Sequence, residues 1–153
     1  MLRFRPLLVA SLVLAACTDV AGIDRLLITV TVSPDRIAPG DTALIVVRFT
    51  NPTLTPLEMP VIPCISPFEI SNAEGELVAG NEVVPCLAYV PPPETLKPFQ
   101  SVERHAMWAG YQRRLNGTEW ITEPATPGVY RVYGRLDGKL SAAAPIEVRA
   151  PVP

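Results

Sequence analysis

The stretch that decides the fold is "TPGVYRVYGRLDGKLSAAAPIEV", residues 126–148. Its two runs rich in β-branched and aromatic residues, 129–136 and 144–148, are typical of strands. Between them stands "LDGK", and an Asp-Gly pair between two such runs is a strong signal for a tight β-hairpin turn. The stretch therefore predicts a final pair of strands joined by a hairpin turn.

Earlier segments repeat this alternation of short strands and turns. In "RLLITVTV", residues 25–32, apolar and polar side chains alternate, which predicts a strand with one buried face. Residues 43–50 are almost continuously apolar and predict a central strand. "PFEISNAEGELVAG", residues 67–80, predicts a hairpin turning at "NAEG", and its alternative is a loop packed by Phe68 alone.

Two proline-rich segments and one ambiguous segment complete the pattern. Residues 51–63 predict an edge strand or an irregular crossing, and residues 83–98, with three successive prolines, predict an extended connection. Residues 99–112, "FQSVERHAMWAGYQ", have helical propensity. A strand is favoured instead, because Pro98 and Gly110 flank the segment. The alternation of side chains also places Trp108 on the same face as Val102, Arg104 and Ala106, as a strand would.

Proline distribution sets the fold class. Of 18 prolines, all but Pro6 lie between Pro34 and Pro153, and proline is excluded from helix interiors and central strands. About seven short strands with a turn about every ten residues are typical of an immunoglobulin-like or fibronectin-like β-sandwich. We therefore expect an all-β chain with one domain, residues 25–150, and a short tail, residues 151–153.

The N-terminus has the layout of a signal peptide. "MLRFRPLLVASLVLAAC", residues 1–17, begins with Arg3 and Arg5 and continues with an apolar run over residues 7–16. That run is too short for a membrane-spanning helix, which needs about 20 residues. An exported protein is the expectation.

The end of the run, "LAAC" at residues 14–17, resembles the bacterial lipoprotein signal. The resemblance implies cleavage of residues 1–16, lipidation of the Cys17 thiol, and a lipidated tether over residues 17–24. It also implies a bacterial cell-envelope protein facing the periplasm or the exterior, and Thr18 after Cys17 favours the outer membrane in a double-membraned cell. The alternative is ordinary cleavage nearby that leaves Cys17 as a free thiol.

The two remaining cysteines, Cys64 and Cys86, predict a disulfide, because an exported chain meets an oxidising compartment. Closing that loop is worth roughly 3 to 4 kcal/mol by chain entropy. The alternative is a metal or catalytic thiol. His105 is the only histidine and no second cysteine lies at ligand spacing, so we expect no metal and no cofactor.

Charge excludes one class of partner. Without Arg3 and Arg5 the 13 basic residues fall to 11 against 15 acidic residues, a formal charge of −4. Such a chain has no basic surface field for nucleic acid. We therefore expect no nucleic-acid partner.

The sequence also offers little for catalysis. No serine-hydrolase or metalloprotease motif accompanies His105. Five glutamates could in principle converge as paired carboxylates for glycoside hydrolysis, but their positions on solvated strand faces explain them more simply. Those residues are Glu58, Glu69, Glu103, Glu119 and Glu123. We expect a protein that is not an enzyme.

Three aromatic residues, Tyr89, Tyr111 and Trp120, fall in predicted loops. They either pack against the end of the domain or form a binding surface. Asn116 and Gly117 predict a turn rather than a glycosylation site.

Several phrases resemble the intracellular proteinase inhibitor family of Bacillus. They are "PGDTALIVVRFTNPTLTPLEM", "FEISNAEGELV", Trp108 late in a strand, and "TPGVYRVYGRL", and together they span residues 28–148. The resemblance implies the fold. Within it, Gly128 gives the chain freedom to turn into the strand, and Tyr130 can bury its ring and hydrogen-bond backbone through its hydroxyl. The segment "PCISPFEI" and the export signal depart from the family, so no inhibitory residue is carried over.

Two functions follow as predictions. The first is a lipid-anchored, non-catalytic envelope protein whose domain binds an unidentified envelope protein or supports an assembly. The alternative is a proteinase inhibitor that presents the rigid proline-rich loop of residues 83–98.

Overall fold

Strands dominate the structure, a computed structural model that describes residues 22–61, 65–80 and 92–150. One 3₁₀ turn, Gly22–Arg25, precedes thirteen strands in these ranges. The strands are β1 (Leu27–Ser33), β2 (Arg36–Ile37), β3 (Ala43–Thr50), β4 (Leu57–Met59), β5 (Phe68–Ser71), β6 (Leu77–Ala79), β7 (Glu94–Leu96), β8 (Ser101–Trp108), β9 (Tyr111–Asn116), β10 (Glu119–Pro124), β11 (Gly128–Leu136), β12 (Lys139–Leu140) and β13 (Ala144–Val148). The all-β class is confirmed. The strands outnumber the predicted seven because several are pieces of two or three residues.

A three-stranded antiparallel sheet is built from the longest strands in the first two thirds of the chain. Its order is β1-β3-β8, so β3 is central as its apolar run predicts. Leu27 pairs with Thr50 and Thr50 with Ser101 at one end, while Ala43 pairs with Trp108 at the other. Side chains of β8 alternate between exposed and partly buried positions and end at buried Trp108, which confirms it as a strand.

A second sheet has the order β2-β13-β11-β5-β6, with β12 beside β11. The predicted hairpin at "NAEG" is confirmed as β5 and β6. Leu136 pairs with Lys139 across a two-residue turn, in which Asp137 and Gly138 have φ of 44° and 81°. Two positive φ values define a type I′ turn, so the Asp-Gly turn is confirmed. It joins β11 to the short β12, and the predicted partner β13 pairs with the first half of β11 instead.

Buried side chains of both sheets form one hydrophobic core. Val47 and Phe49 of β3 belong to the same cluster as Tyr130 and Val132 of β11. At Gly134 of β11 the second sheet approaches the three-stranded sheet closely. A Cβ built there would lie 2.7 Å from Val47 Cγ1 and 3.0 Å from the Cγ2 of Ile28.

Tyr130 joins the core to the turn before its strand. The hydroxyl donates a hydrogen bond of 2.8 Å to the carbonyl of Thr126, and the ring meets Trp108 edge-on at 5.6 Å. A buried tyrosine bonded to backbone a few residues upstream has the geometry called a tyrosine corner. The burial and backbone bond predicted for Tyr130 are confirmed.

The predicted tether and the predicted loops both need correction. Residues 22–24 belong to the 3₁₀ turn, not to a free tether, because Lys139 Nζ donates to the carbonyls of Ile23, Asp24 and Leu26 at 3.1, 2.7 and 2.7 Å. Tyr111 and Trp120 lie in strands β9 and β10 instead of loops. Tyr89 lies outside the described residues.

Candidate functional site

The hairpin of β9 and β10 leaves the body of the domain just after Trp108. The Nε1 of Trp108 donates a hydrogen bond of 2.7 Å to the carbonyl of Tyr111, and the Ala125 amide donates one of 2.9 Å to that of Gly110. Because Trp108 pairs with Ala43, this root lies at the end of the three-stranded sheet away from Leu27. The hairpin is thus fixed at both ends of its base.

A regular ladder shapes the hairpin itself. Asn116 pairs with Glu119 across a two-residue turn that begins with Gly117 at φ 66°, and the register continues to Tyr111 opposite Pro124. Glycine at the first central position permits the positive φ that tight hairpin turns require. The turn predicted at Asn116 and Gly117 is confirmed.

One face of the hairpin is occupied by a polar network. Glu123 accepts hydrogen bonds from Gln112 Nε2 at 3.0 Å and from the Nε of Arg114 at 3.1 Å. These three residues alternate in sequence with those of the opposite face, as strand geometry requires. This face therefore satisfies its own polar groups.

The opposite face, called here the aromatic face, carries Tyr111, Arg113 and Trp120. The Arg113 Cζ lies 5.2 Å from the centroid of the Trp120 ring, which is within the range of a cation–π contact. Trp120 remains 57% exposed and Tyr111 40% exposed. Trp, Tyr and Arg are the residue types most enriched at the centres of protein interfaces.

His105 lies on an open strand face, where its Nε2 is 3.5 Å from an oxygen of Glu103. Glu103 also accepts two hydrogen bonds from Arg48, from Nε at 2.9 Å and Nη2 at 2.6 Å. The hydrogen bond from Arg48 is the main cause that holds the pKa of the Glu103 carboxyl below its ordinary value, and the neighbouring His105 adds to it. This cluster is an exposed cross-strand ion-pair network on β3 and β8.

The five glutamates considered for carboxylate chemistry are spread over the sheets. Glu58 is on β4, Glu69 on β5, Glu103 on β8, and both Glu119 and Glu123 on β10. Glu69 is paired with Arg135 at 3.7 Å, as Glu103 is with Arg48. Within the described residues, no concave site brings any of these glutamates together with His105. Only Glu103 contacts it, on an exposed strand face.

A cleft of about 210 Å³ lies beside the turn of Asp137 and Gly138. Its walls combine apolar side chains with two guanidinium groups, Arg104 and Arg135, each already paired with a glutamate. The lining residues are Phe49, Met59, Pro60, Val61, Ile65, Ser66, Pro67, Arg104, Arg135, Leu136, Asp137 and Gly138. Among the described residues that line it, neither His105 nor any of the five glutamates occurs.

The cysteine predictions fall outside the described residues. These predictions are the lipidation of Cys17 and the disulfide of Cys64 with Cys86. Residues 83–91, the greater part of the proposed inhibitory loop, also lie outside the described residues. In the ranges that the structure covers, no helix is long and apolar enough to cross a membrane. Within the same ranges no group of three potential metal-ligating His, Cys, Asp or Glu side chains occurs.

The aromatic face was not visible in the sequence as a face. "YQRRLNGTEWITEP", residues 111–124, carries four charged residues that mask the period-two pattern. The Asn-Gly turn was the one signal that could have placed Tyr111 and Trp120 on adjacent strands.

No protein-family model matches the chain, and no curated protein matches it. Among solved structures, the alkylpurine DNA glycosylase AlkC of Pseudomonas fluorescens, bound to DNA containing an abasic site analog, is similar with a TM-score of 0.50 and 16% identity. The match covers 82% of this chain and 31% of the glycosylase chain. At this identity the similarity concerns the fold alone.

A β-glucosidase of Listeria innocua in complex with gluconolactone gives a TM-score of 0.44 at 13% identity, over 80% of this chain and 16% of that chain. This similarity is too low to support a shared fold or function. The chain spans less than a third of the length of either of these proteins.

Proposed function

We propose that the protein is a lipid-anchored component of the bacterial cell envelope whose β-sandwich domain is a non-catalytic binding module. The observation that carries the binding role is the aromatic face, where exposed Trp120 and Tyr111 flank Arg113 on a rigid hairpin. The partner is an envelope protein that covers this face.

The immunoglobulin-like β-sandwich is part of the same proposal. The tyrosine corner of Tyr130 and the close approach of Gly134 to Ile28 and Val47 support two sheets packed face to face. The similarity to part of the Pseudomonas glycosylase is consistent with such a module, because the matched segment is a fraction of that chain.

Lipid anchoring rests on the sequence at residues 14–17. The small residues before Cys17 follow a cationic and an apolar region in the order that export requires. Two or more acyl chains hold a protein stably at a membrane, whereas one chain binds only marginally. Cys17 as the first residue of the mature chain then stands five positions before the ordered turn at Gly22.

Rigidity makes the aromatic face suitable for recognition. Its base is pinned through Trp108, and its reverse side is held by Glu123 with Gln112 and Arg114. A surface that is already ordered loses little conformational entropy when a partner binds. Exposed aromatic side chains on such a surface contribute large contact area at low entropic cost.

Site-specific photocrosslinking in intact cells tests the binding role. A photoreactive amino acid at Thr122, on the same face, is expected to capture a specific envelope protein, and Trp120→Ala is expected to reduce that crosslink at least about tenfold. Val129→Ala is the control, because Val129 is an apolar residue of β11 with the same 57% exposure and lies outside the aromatic face. A crosslink that is absent, or unchanged by Trp120→Ala, would overturn the binding role of this face.

A further inference from the structure

Three exposed apolar side chains gather at the end of the domain where the described chain begins. Leu27, Leu54 and Phe99 are 52%, 82% and 65% exposed. Leu27 pairs with Thr50 and Thr50 with Ser101, so the loops that follow β3 and precede β8 lie side by side at this end. We call these three side chains the tether-end surface.

Asn51 fixes the two loops to each other. Its side-chain Nδ2 donates to the carbonyls of Thr55 at 2.8 Å and Leu96 at 3.0 Å, and its backbone carbonyl accepts from the Phe99 amide at 2.9 Å. The Asn51 side chain is fully buried. Leu54 and Phe99 are therefore held outward on one scaffold.

Each apolar tip is also stiffened by proline. Pro52 and Pro56 flank Leu54, and Pro98 precedes Phe99. Phe99 has a backbone φ of 60°, which a residue with a bulky side chain rarely adopts. In this conformation its phenyl ring is exposed to solvent. Preordered tips keep the entropic cost of docking low.

The start of the described chain lies next to these loops. A Cβ built at Gly22 would lie 2.7 Å from Leu57 Cδ2, and Leu57 pairs with Leu96, directly before the Phe99 loop. Between Cys17 and Gly22 the chain makes five Cα steps, which span at most about 18 Å. A lipidated Cys17 thus keeps this end of the domain close to the bilayer.

We propose that the tether-end surface docks on the lipid bilayer that anchors Cys17, with Leu54 and Phe99 inserted at the interface. This inference rests on the proposed lipid anchor. Lys97, exposed in the Phe99 loop, adds attraction to anionic headgroups. The root of the hairpin, at the far end of the three-stranded sheet, then points away from the membrane.

Hydroxyl-radical footprinting of the purified lipidated protein in liposomes of phosphatidylethanolamine and phosphatidylglycerol tests the proposal. The reference is the mature chain with Cys17→Ser, free in solution. Oxidation of Leu54 and Phe99 is expected to fall about fivefold or more in liposomes, since inserted side chains are shielded from water. Met107 and Trp120, which are 74% and 57% exposed near the opposite end, serve as internal controls and are expected to change less than about twofold.

The intact mass of the same sample reports lipidation separately. Lipid on Cys17 without selective protection of Leu54 and Phe99 would overturn the docking and leave the anchor standing. An unmodified Cys17 would remove the anchor and the docking together. If Leu54 and Phe99 were protected in cells but not in protein-free liposomes, the tether-end surface would bind a protein partner. That result would overturn the proposal that it docks on the bilayer.

A double variant, Leu54→Ser with Phe99→Ser, completes the test. Both side chains are exposed, so the domain is expected to fold, which its thermal midpoint checks. Leu27, the third side chain of the tether-end surface, is expected to be protected in the wild-type protein and to lose that protection in this variant, while the lipid mass on Cys17 is unchanged. Unchanged protection of Leu27 would contradict insertion through the two tips.

Discussion

The backbone carbonyl of Asn51 accepts a hydrogen bond of 2.9 Å from the amide of Phe99, which ties the end of β3 to the loop that enters β8. The side-chain Nδ2 of Asn51 donates further bonds to the carbonyls of Thr55, Leu96 and Lys97. The backbone and the buried side chain of Asn51 thus hold the two loops of the tether end together. This relationship gives the first prediction.

Asn51→Ala is expected to lower the free energy of unfolding by about 3 kcal/mol, because the Leu96 carbonyl in a buried bond and the Thr55 and Lys97 carbonyls in part-buried bonds lose their donor. Chemical denaturation measures the change. Asn72→Ala is the control, since the Asn72 side chain makes its bonds to Glu76 in an exposed turn and its loss is expected to cost about 1 kcal/mol or less. Equal losses in the two variants would contradict the organising role of Asn51.

Lys139 holds the 3₁₀ turn Gly22–Arg25 across more than a hundred residues of sequence. Lys139→Met is expected to speed amide exchange at Leu26 about tenfold, because that amide is protected by the turn whose carbonyls the ammonium binds. Hydrogen exchange by NMR measures the rate. Lys97→Met, a change of the same charge in another loop, should leave the Leu26 rate unaltered, and a similar acceleration in both would argue against the contact.

Tyr130→Phe removes the hydroxyl that donates to the Thr126 carbonyl and is expected to cost about 1 to 2 kcal/mol of stability. Tyr133→Phe on the same strand is expected to cost less than about 0.5 kcal/mol. Thermal or chemical unfolding of the two variants makes the comparison. If the two losses were alike, Tyr130 would not be acting as a tyrosine corner.

The pKa of Glu103 provides a prediction about pH. Its folded-state pKa lies below the ordinary value because Arg48 hydrogen-bonds the carboxylate. The contribution to stability is therefore present above the unfolded-state pKa and is lost as the pH falls through the lower folded-state pKa. The effect on stability is small, since both side chains are exposed.

Arg48→Met is expected to raise the pKa of Glu103, which NMR titration of the side-chain carboxyl follows. Arg114→Met is the control, because Arg114 pairs with Glu123 on the hairpin. A Glu103 titration that does not move in Arg48→Met would show that Arg48 is not the cause of its lowered pKa.

Local sequence signals predicted the parts of the fold that depend on neighbouring residues. The Asp137 and Gly138 turn follows from the conformational freedom of that pair, and the strand at β8 follows from alternation that ends at Trp108. Tyr130 was placed correctly because a ring with one polar atom suits a strand that meets a turn.

The missed features depend on contacts between distant segments. In the sequence, Asn51 looks like an ordinary turn residue before Pro52. The neighbouring residues give no sign that it will hydrogen-bond with Leu96 and Phe99. Lys139 reads as part of a hairpin turn, whereas its partners are residues 23–26. The aromatic face was masked by charged residues on both sides of the hairpin, with Arg113 on the aromatic face and Arg114, Glu119 and Glu123 on the reverse.

The disulfide between Cys64 and Cys86 stays a prediction with a simple measurement. Peptide mapping without reduction is expected to recover the two cysteines in one linked peptide, with Cys17 in a separate lipidated peptide. Free thiols at Cys64 and Cys86 in protein isolated from cells would contradict it.

The most direct test of the proposed function is the intact mass of the protein from the membrane fraction, measured together with the location of Cys17→Ser. The wild-type chain is expected to begin at Cys17 with the mass of an attached lipid, and Cys17→Ser is expected to leave the membrane fraction. A chain with an unmodified Cys17, or a Cys17→Ser protein that stays on the membrane as firmly as the wild type, would contradict a lipid-anchored envelope protein.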